Sequence, residues 1–144
     1  MMQKRSYGRE YIEDSRDFVI RPIWSLRNRK TWRDAPVVLD QENEPSCVGH
    51  AWAHWLMCSP VRQYLPPNGI YSVAQFMDEW IGENYEGTSV RAGAKVLHKL
   101  GFIKEYQWGW DFVDVVDTVL EKGPVVMGTN WYAGMSSPVN GFIR

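Results

Sequence analysis

Cysteine is nearly absent from this chain, which carries two thiols, Cys47 and Cys58, in 144 residues. That excludes a disulfide-stapled scaffold of the kind small secreted domains use. Nor are the two expected to bridge each other. If one helix carries both, a rise of about 1.5 Å per residue parts them by roughly 16 Å, whereas a disulfide needs Cα atoms within about 7 Å. Long apolar runs are missing too. No stretch approaches the ~20 apolar residues of a membrane span, and the polar N-terminus MMQKRSYGREYIEDSRDF lacks the apolar centre of a secretory signal. These absences predict a cytoplasmic protein with reduced thiols. An excess of either charge is absent as well: 16 basic and 17 acidic side chains give a formal net charge of −1. Neither nucleic acid nor an anionic membrane is therefore expected as a partner. There is no internal repeat and no low-complexity segment.

What is present fits a folded domain. Apolar residues make up 44% and charged residues 23%, which is ordinary for a globular chain, and the length allows one domain with a real core. Eight tryptophans are first of all packing residues, since large aromatics bury much area. The basic interleaving of a base-stacking surface does not accompany them.

Residues 1–35 read as a charged, irregular lead-in anchored by Phe18, Trp24 and Trp32. APVVLDQ (35–41) is a strand or an extended segment. Pro45-Ser46 introduces a first helix, with Ser46 as N-cap and Pro60 beyond its end. Pro-Pro-Asn-Gly at 66–69 reads as a turn. The capping-box spacing of Ser72 and Gln75 predicts a second helix that continues through AQFMDEWIGEN. A third, TSVRAGAKVLHKLG, is capped by Thr88 or Ser89 and stopped by Gly101, with Val90, Ala94, Leu97 and Gly101 on one face. A fourth, DFVDVVDTVLEKG, shows Val113, Val116 and Leu120 on one face and stops at Gly123-Pro124. PVVMGTNW (124–131) reads as a buried strand. Helices first and a strand only near the end predict an α+β fold whose β portion has barely begun.

Cys47 opens the first predicted helix. The first-turn N–H groups of a helix favour thiolate over thiol, and a thiolate is a good nucleophile for a carbonyl. Gln41 is a neutral amide donor able to hold a developing oxyanion, with the Cys47 N–H as second donor. The competing reading makes Cys47 a small, buried apolar residue.

Gln41-Glu-Asn-Glu-Pro-Ser-Cys47-Val-Gly-His-Ala-Trp-Ala resembles the active-site segment of papain-like cysteine peptidases. There an oxyanion-hole Gln precedes, by five intervening residues, the Cys that opens a long central helix. Glu86-Gly-Thr-Ser-Val-Arg-Ala-Gly followed by Leu100-Gly-Phe-Ile-Lys-Glu is similar to the family's glycine segment, its helix and the exit from that helix. Gly123-Pro124-Val125-Val126 resembles the strand that opens its β-rich second lobe. The motifs stand in family order over roughly residues 37–131, and the form is closest to compact bacterial or phage-encoded members. The resemblance implies a papain-like fold: a helical lobe carrying the nucleophile over 36–106 and the start of a β-rich lobe over 107–144. It implies a peptidase in which Cys47 attacks and Gln41 holds the oxyanion. Gly87, Thr88 and Ser89 would line the cleft, with Gly128 on the opposite wall. The expected partner is a peptide or protein substrate, with no cofactor and no metal.

The departures are specific. Glu42 stands where the family has Gly, and Glu44-Pro45-Ser46-Cys47-Val48 lacks the extra Cys and the aromatic of C-G-[SA]-C-[WY]. Papain and the cathepsins place their catalytic His about 130–150 residues after the Cys. Here no His follows Gly123-Pro124, so the complete reaction is expected to need a downstream His.

Of the three histidines, His50 would approach the thiol from beside it, and a base should face the substrate. His98 is expected at a surface or edge. Cys47, His50 and His54 share one helix face, but without H-E-x-x-H or a fourth ligand they are not expected to bind a metal. Two other functions stay open: a non-catalytic module that binds a peptide or protein, and a hydrolase of peptidoglycan or isopeptide bonds.

Overall fold

A computed structural model describes residues 9–10, 18–20, 25–80, 82 and 85–140. Trp24, the far end of the expected second helix (81, 83 and 84) and residues 141–144 lie outside them.

The described elements are β1 (Arg9–Glu10), α1 (Cys47–Met57), α2 (Pro67–Gln75), β2 (Thr88–Ser89), α3 (Val90–Lys99), α4 (Phe112–Glu121) and a 3-10 helix at Ala133–Ser136. β1 and β2 pair in parallel, with Arg9 opposite Thr88 and Glu10 opposite Ser89. A parallel bridge joins Val19 to Trp108. The architecture is helix-rich and mixed, and the described residues contain no β-rich lobe.

The core is the packing of α1, α2 and α3. Val48, Trp52, Ala53 and Leu56 of α1 are buried against Ile70 and Ala74 of α2 and Ala92, Val96 and Leu97 of α3. Two glycines let the helices meet this closely. A Cβ at Gly49 would run into the Pro67 carbonyl oxygen and the Tyr71 side chain, and one at Gly93 into the Trp52 indole. With Gly93 clear, the Trp52 ring lies across α3 and its Nε1–H donates to the Val90 carbonyl at 3.0 Å.

α3 follows its sequence pattern. The Ser89 hydroxyl accepts from Ala92 N at 3.0 Å, and Gly101 turns the chain away at φ +79°, a conformation open to glycine. Its buried face is wider than expected and includes Arg91.

α2 corrects the reading of 66–84. It starts at Pro67, inside the segment read as a turn, and ends at Gln75. Pro67 occupies the first turn, where a missing N–H costs nothing. Burial of Ile70 and Ala74 then outweighs the weak helix propensity of Asn68 and Gly69. Ser72 lies inside the helix, where its hydroxyl donates to the Asn68 carbonyl at 2.9 Å.

α4 begins as expected, with Asp111 Oδ1 accepting from Val113 N at 2.8 Å. It lies at the surface. Val113 is 61% exposed, none of its residues is buried, and Val115 packs against Gly109 instead.

The strand expected at 124–131 is not formed. A strand needs a neighbour to complete its ladder, and no described segment pairs with this one. It is held from α1, whose Trp55 Nε1–H donates to the Pro124 carbonyl at 2.7 Å, and Met127–Asn130 are exposed.

Candidate active site

Cys47 is the first residue of α1 and half-buried. At about 100° per residue, an α-helix aligns Cys47, Ala51, His54, Trp55 and Cys58 on one flank, with His50 beside them. All six are half-buried, while Val48, Gly49, Trp52, Ala53, Leu56 and Met57 face the core. The thiol thus sits at the N-terminal end of a half-buried stripe, of which Cys47 and Trp55 pack against the edge of the core.

The preceding loop is built by hydrogen bonds to its own backbone. Glu44 N donates to the Gln41 carbonyl at 2.9 Å, and Gln41 Nε2 donates to the Glu44 carbonyl at 2.7 Å. One amide hydrogen of Gln41 therefore closes the turn that leads to Cys47. Glu42 adopts φ +52°, the left-handed region that favours glycine, and the Asp40 carboxylate steadies it by accepting Glu42 N at 2.8 Å. The loop is anchored to α1 where Leu39 N donates to His54 Nε2 at 2.9 Å.

Ser46 occupies the N-cap position and is fully buried, but its hydroxyl does not cap the helix. It lies 3.2 Å from His50 Nδ1, which is also 3.0 Å from the Ser46 carbonyl oxygen. A carbonyl only accepts, so the ring hydrogen belongs on Nδ1. His50 thus turns its Nδ1–H to Ser46, while His54 Nε2 accepts from Leu39 N. His98 is exposed on α3 and meets Tyr106 edge-on, with ring centroids 6.3 Å apart. Among the described residues, no group of three or more His, Cys, Asp or Glu could hold a metal ion.

Neither cysteine is in a disulfide. Burial pushes the Cys58 thiol above its ordinary value, and Asp34 adds to this by charge and by hydrogen bond, against the lowering effect of the Ala35 backbone.

The segment before α3 is the most heavily buttressed part of the molecule. Gly87, at φ +103°, receives Gln75 Nε2 on its carbonyl at 3.3 Å and donates its N–H to the Tyr71 hydroxyl at 3.1 Å. Thr88 is fully buried and donates to Asp78 Oδ2 at 2.8 Å. Its side chain supports the cleft wall from behind, so the expectation that it faces a substrate is corrected. The Tyr85 hydroxyl bonds the same carboxylate, and burial together with Asp78 drives its pKa well above the tyrosine range. Glu79 binds Ser89 Oγ at 3.1 Å, Arg91 Nη1 at 3.0 Å and Lys95 Nζ at 3.4 Å. Burial alone would raise the Glu79 pKa, but the bonds from Arg91, Lys95 and Ser89 hold it below the ordinary glutamate value.

Sequence reasoning missed Asp78, Glu79 and Arg91. One signal was available: Arg91 and Lys95 are like charges four residues apart on a helix, a spacing that repels unless an acid lies between them.

A cleft of about 510 Å³ separates α1 and α3 from residues 103–129. Ser89 and Gly128 both line it, whereas Cys47, Gln41, Gly87 and Thr88 do not. Among the described residues, no helix is long and apolar enough to cross a membrane. No family model, curated protein or solved structure matches this chain.

Proposed function

We propose that this chain carries the nucleophile-bearing helical lobe of a papain-like cysteine peptidase, which hydrolyses peptide bonds by acyl transfer. The observation that carries the reading is Cys47 itself: a half-buried thiol on the first residue of an 11-residue helix. The first-turn N–H groups of a helix favour a thiolate over a thiol. In this reading the thiolate attacks the substrate carbonyl and the Cys47 N–H donates to the tetrahedral oxyanion. The second amide hydrogen of Gln41, which the 41–44 turn does not use, is the other donor. His54 spends its Nε2 lone pair on Leu39 N and His50 lies beside the thiol on the same helix, so in this reading the base is a downstream imidazole that faces the substrate. It takes the thiol proton and delivers it to the leaving amine.

Iodoacetamide labelling followed site by site tests the activated thiol. Cys47 should alkylate at least about tenfold faster than Cys58 at neutral pH, with the midpoint of its rate–pH profile below that of Cys58. Equal rates would remove the activated nucleophile from this reading. Casein hydrolysis by the natural gene product, abolished by Cys47→Ala, tests the reaction.

That Cys47 does not line the 510 Å³ cleft favours a second reading, a non-catalytic module that binds a peptide or protein along that cleft. It predicts peptide binding that survives Cys47→Ala, with no turnover.

A further inference from the structure

The 510 Å³ cleft falls within the usual range of ligand pockets, about 300–1,000 Å³, and its lining is unusual in two respects. Its walls carry Trp52, Trp55, Tyr106, Trp108, Trp110 and Phe112. Its charged lining residues are Arg91, Glu105 and Asp111. The Arg91 charge is already met by Glu79, at 3.0 Å. The two carboxylates are met only by neutral donors: Glu105 accepts from Gln107 Nε2 at 3.3 Å, and Asp111 Oδ1 from the Val113 and Asp114 backbone at 2.8 and 3.4 Å. Among the described residues neither takes part in an ion pair.

We propose that this cleft binds the ammonium group of a lysine side chain presented by a peptide. Aromatic faces attract cations through the ring quadrupole, most strongly for tryptophan. This wall already does so once, with the Arg91 guanidinium 5.6 Å from the centre of the Trp108 ring. Two exposed carboxylates with no cationic partner among the described residues, on the same cleft as these tryptophans, complement a positive charge on an apolar stem, which is the build of a lysine side chain. The outer wall is open, with Trp110 57% and Phe112 80% exposed, so the rest of the peptide can lie across the rim. Cys47 does not line the cleft, and the binding is independent of any hydrolysis.

The test is calorimetric titration of the whole chain with two capped pentapeptides, alike except for a central lysine or norleucine. The lysine peptide should bind at least about tenfold more tightly, and the margin should shrink at high salt. The double variant Glu105→Gln/Asp111→Asn should abolish the margin; asparagine still caps α4, and circular dichroism checks the fold. Equal affinity for the two peptides identifies an apolar groove and overturns the proposal. So does an absence of saturable lysine-peptide binding, or a margin that persists in the double variant. Should the double variant misfold, the comparison of the two peptides on the native chain decides alone.

Discussion

α3 and α4 are both ten residues long, and both begin at a side-chain cap, Ser89 in one and Asp111 in the other. α3 nevertheless buries six residues and α4 buries none. The difference is in what surrounds them. α3 lies against α1 and α2, with Gly93 admitting the Trp52 ring, and its first turn is tied to Glu79. Among the described residues, α4 is held by contacts that include Val115 against Gly109, Trp32 Nε1 on the Val119 carbonyl at 2.6 Å, and Ser25 Oγ and Arg27 Nε on Glu121 at 2.7 and 3.4 Å. Equal local signals thus produce a core helix and a surface helix, because a cap determines where a helix starts and says nothing of what covers it.

The sharpest test truncates one side chain in each helix. Leu97→Ala, at a fully buried site, should cost about 2–5 kcal/mol through lost transfer energy and an unfilled cavity. Val116→Ala, at a position 37% exposed, should cost no more than about 0.5 kcal/mol. Urea midpoints measure both, and similar losses would mean that α4 is as much a part of the core as α3.

The ion cluster before α3 gives a pH-dependent version of the comparison. Glu79 titrates below its ordinary value of 4.5 in the folded chain. Its contribution is therefore present above that pH and is lost as the pH falls through the folded value. Unfolding midpoints measured from pH 7 to pH 3 should drop below about pH 4.5 and should drop less in Glu79→Gln. At neutral pH that variant should be the weaker protein, because it leaves the nearly buried Arg91 without its anion. An unchanged acid limb would show that other carboxylates govern the loss.

The smallest expected effect is a gain. Glu42→Gly should stabilise the loop before Cys47 by about 0.5–1 kcal/mol, since the left-handed conformation costs a β-carbon residue about 1–2 kcal/mol and glycine returns part of that gain as extra freedom when unfolded. A calorimetric melt reads it. A loss would mean that the Glu42 side chain contributes contacts of its own.

Legibility followed the range of the interaction. The start of α1 at Cys47, the cap and glycine stop of α3, and the Asp111 start of α4 were all legible in short stretches. α2 was misread because Pro67, Asn68 and Gly69 signal a turn locally, and only the packing of Ile70 and Ala74 against α1 makes them helical. The 124–131 segment was misread because an apolar run is necessary for a buried strand but not sufficient, and the pairing partner is not in the run. At the candidate site, Cys47 was legible as a helix-opening thiol. That Gln41 closes the 41–44 turn, and that Ser46 engages His50 instead of capping, could not be read from spacing. Each side chain had two partners within reach, and the backbone geometry selected one.

By itself the sequence determined the helix boundaries set by caps and glycines, a composition suited to a folded core, and a thiol at a helix start, because each depends on a few neighbouring residues. Only the tertiary structure decided that α3 is covered while α4 is not, that Thr88 is buried, and that Ser89 and Gly128 line one cleft. Burial and hydrogen-bond partners are properties of the space between elements, and residues far apart in the chain supply them.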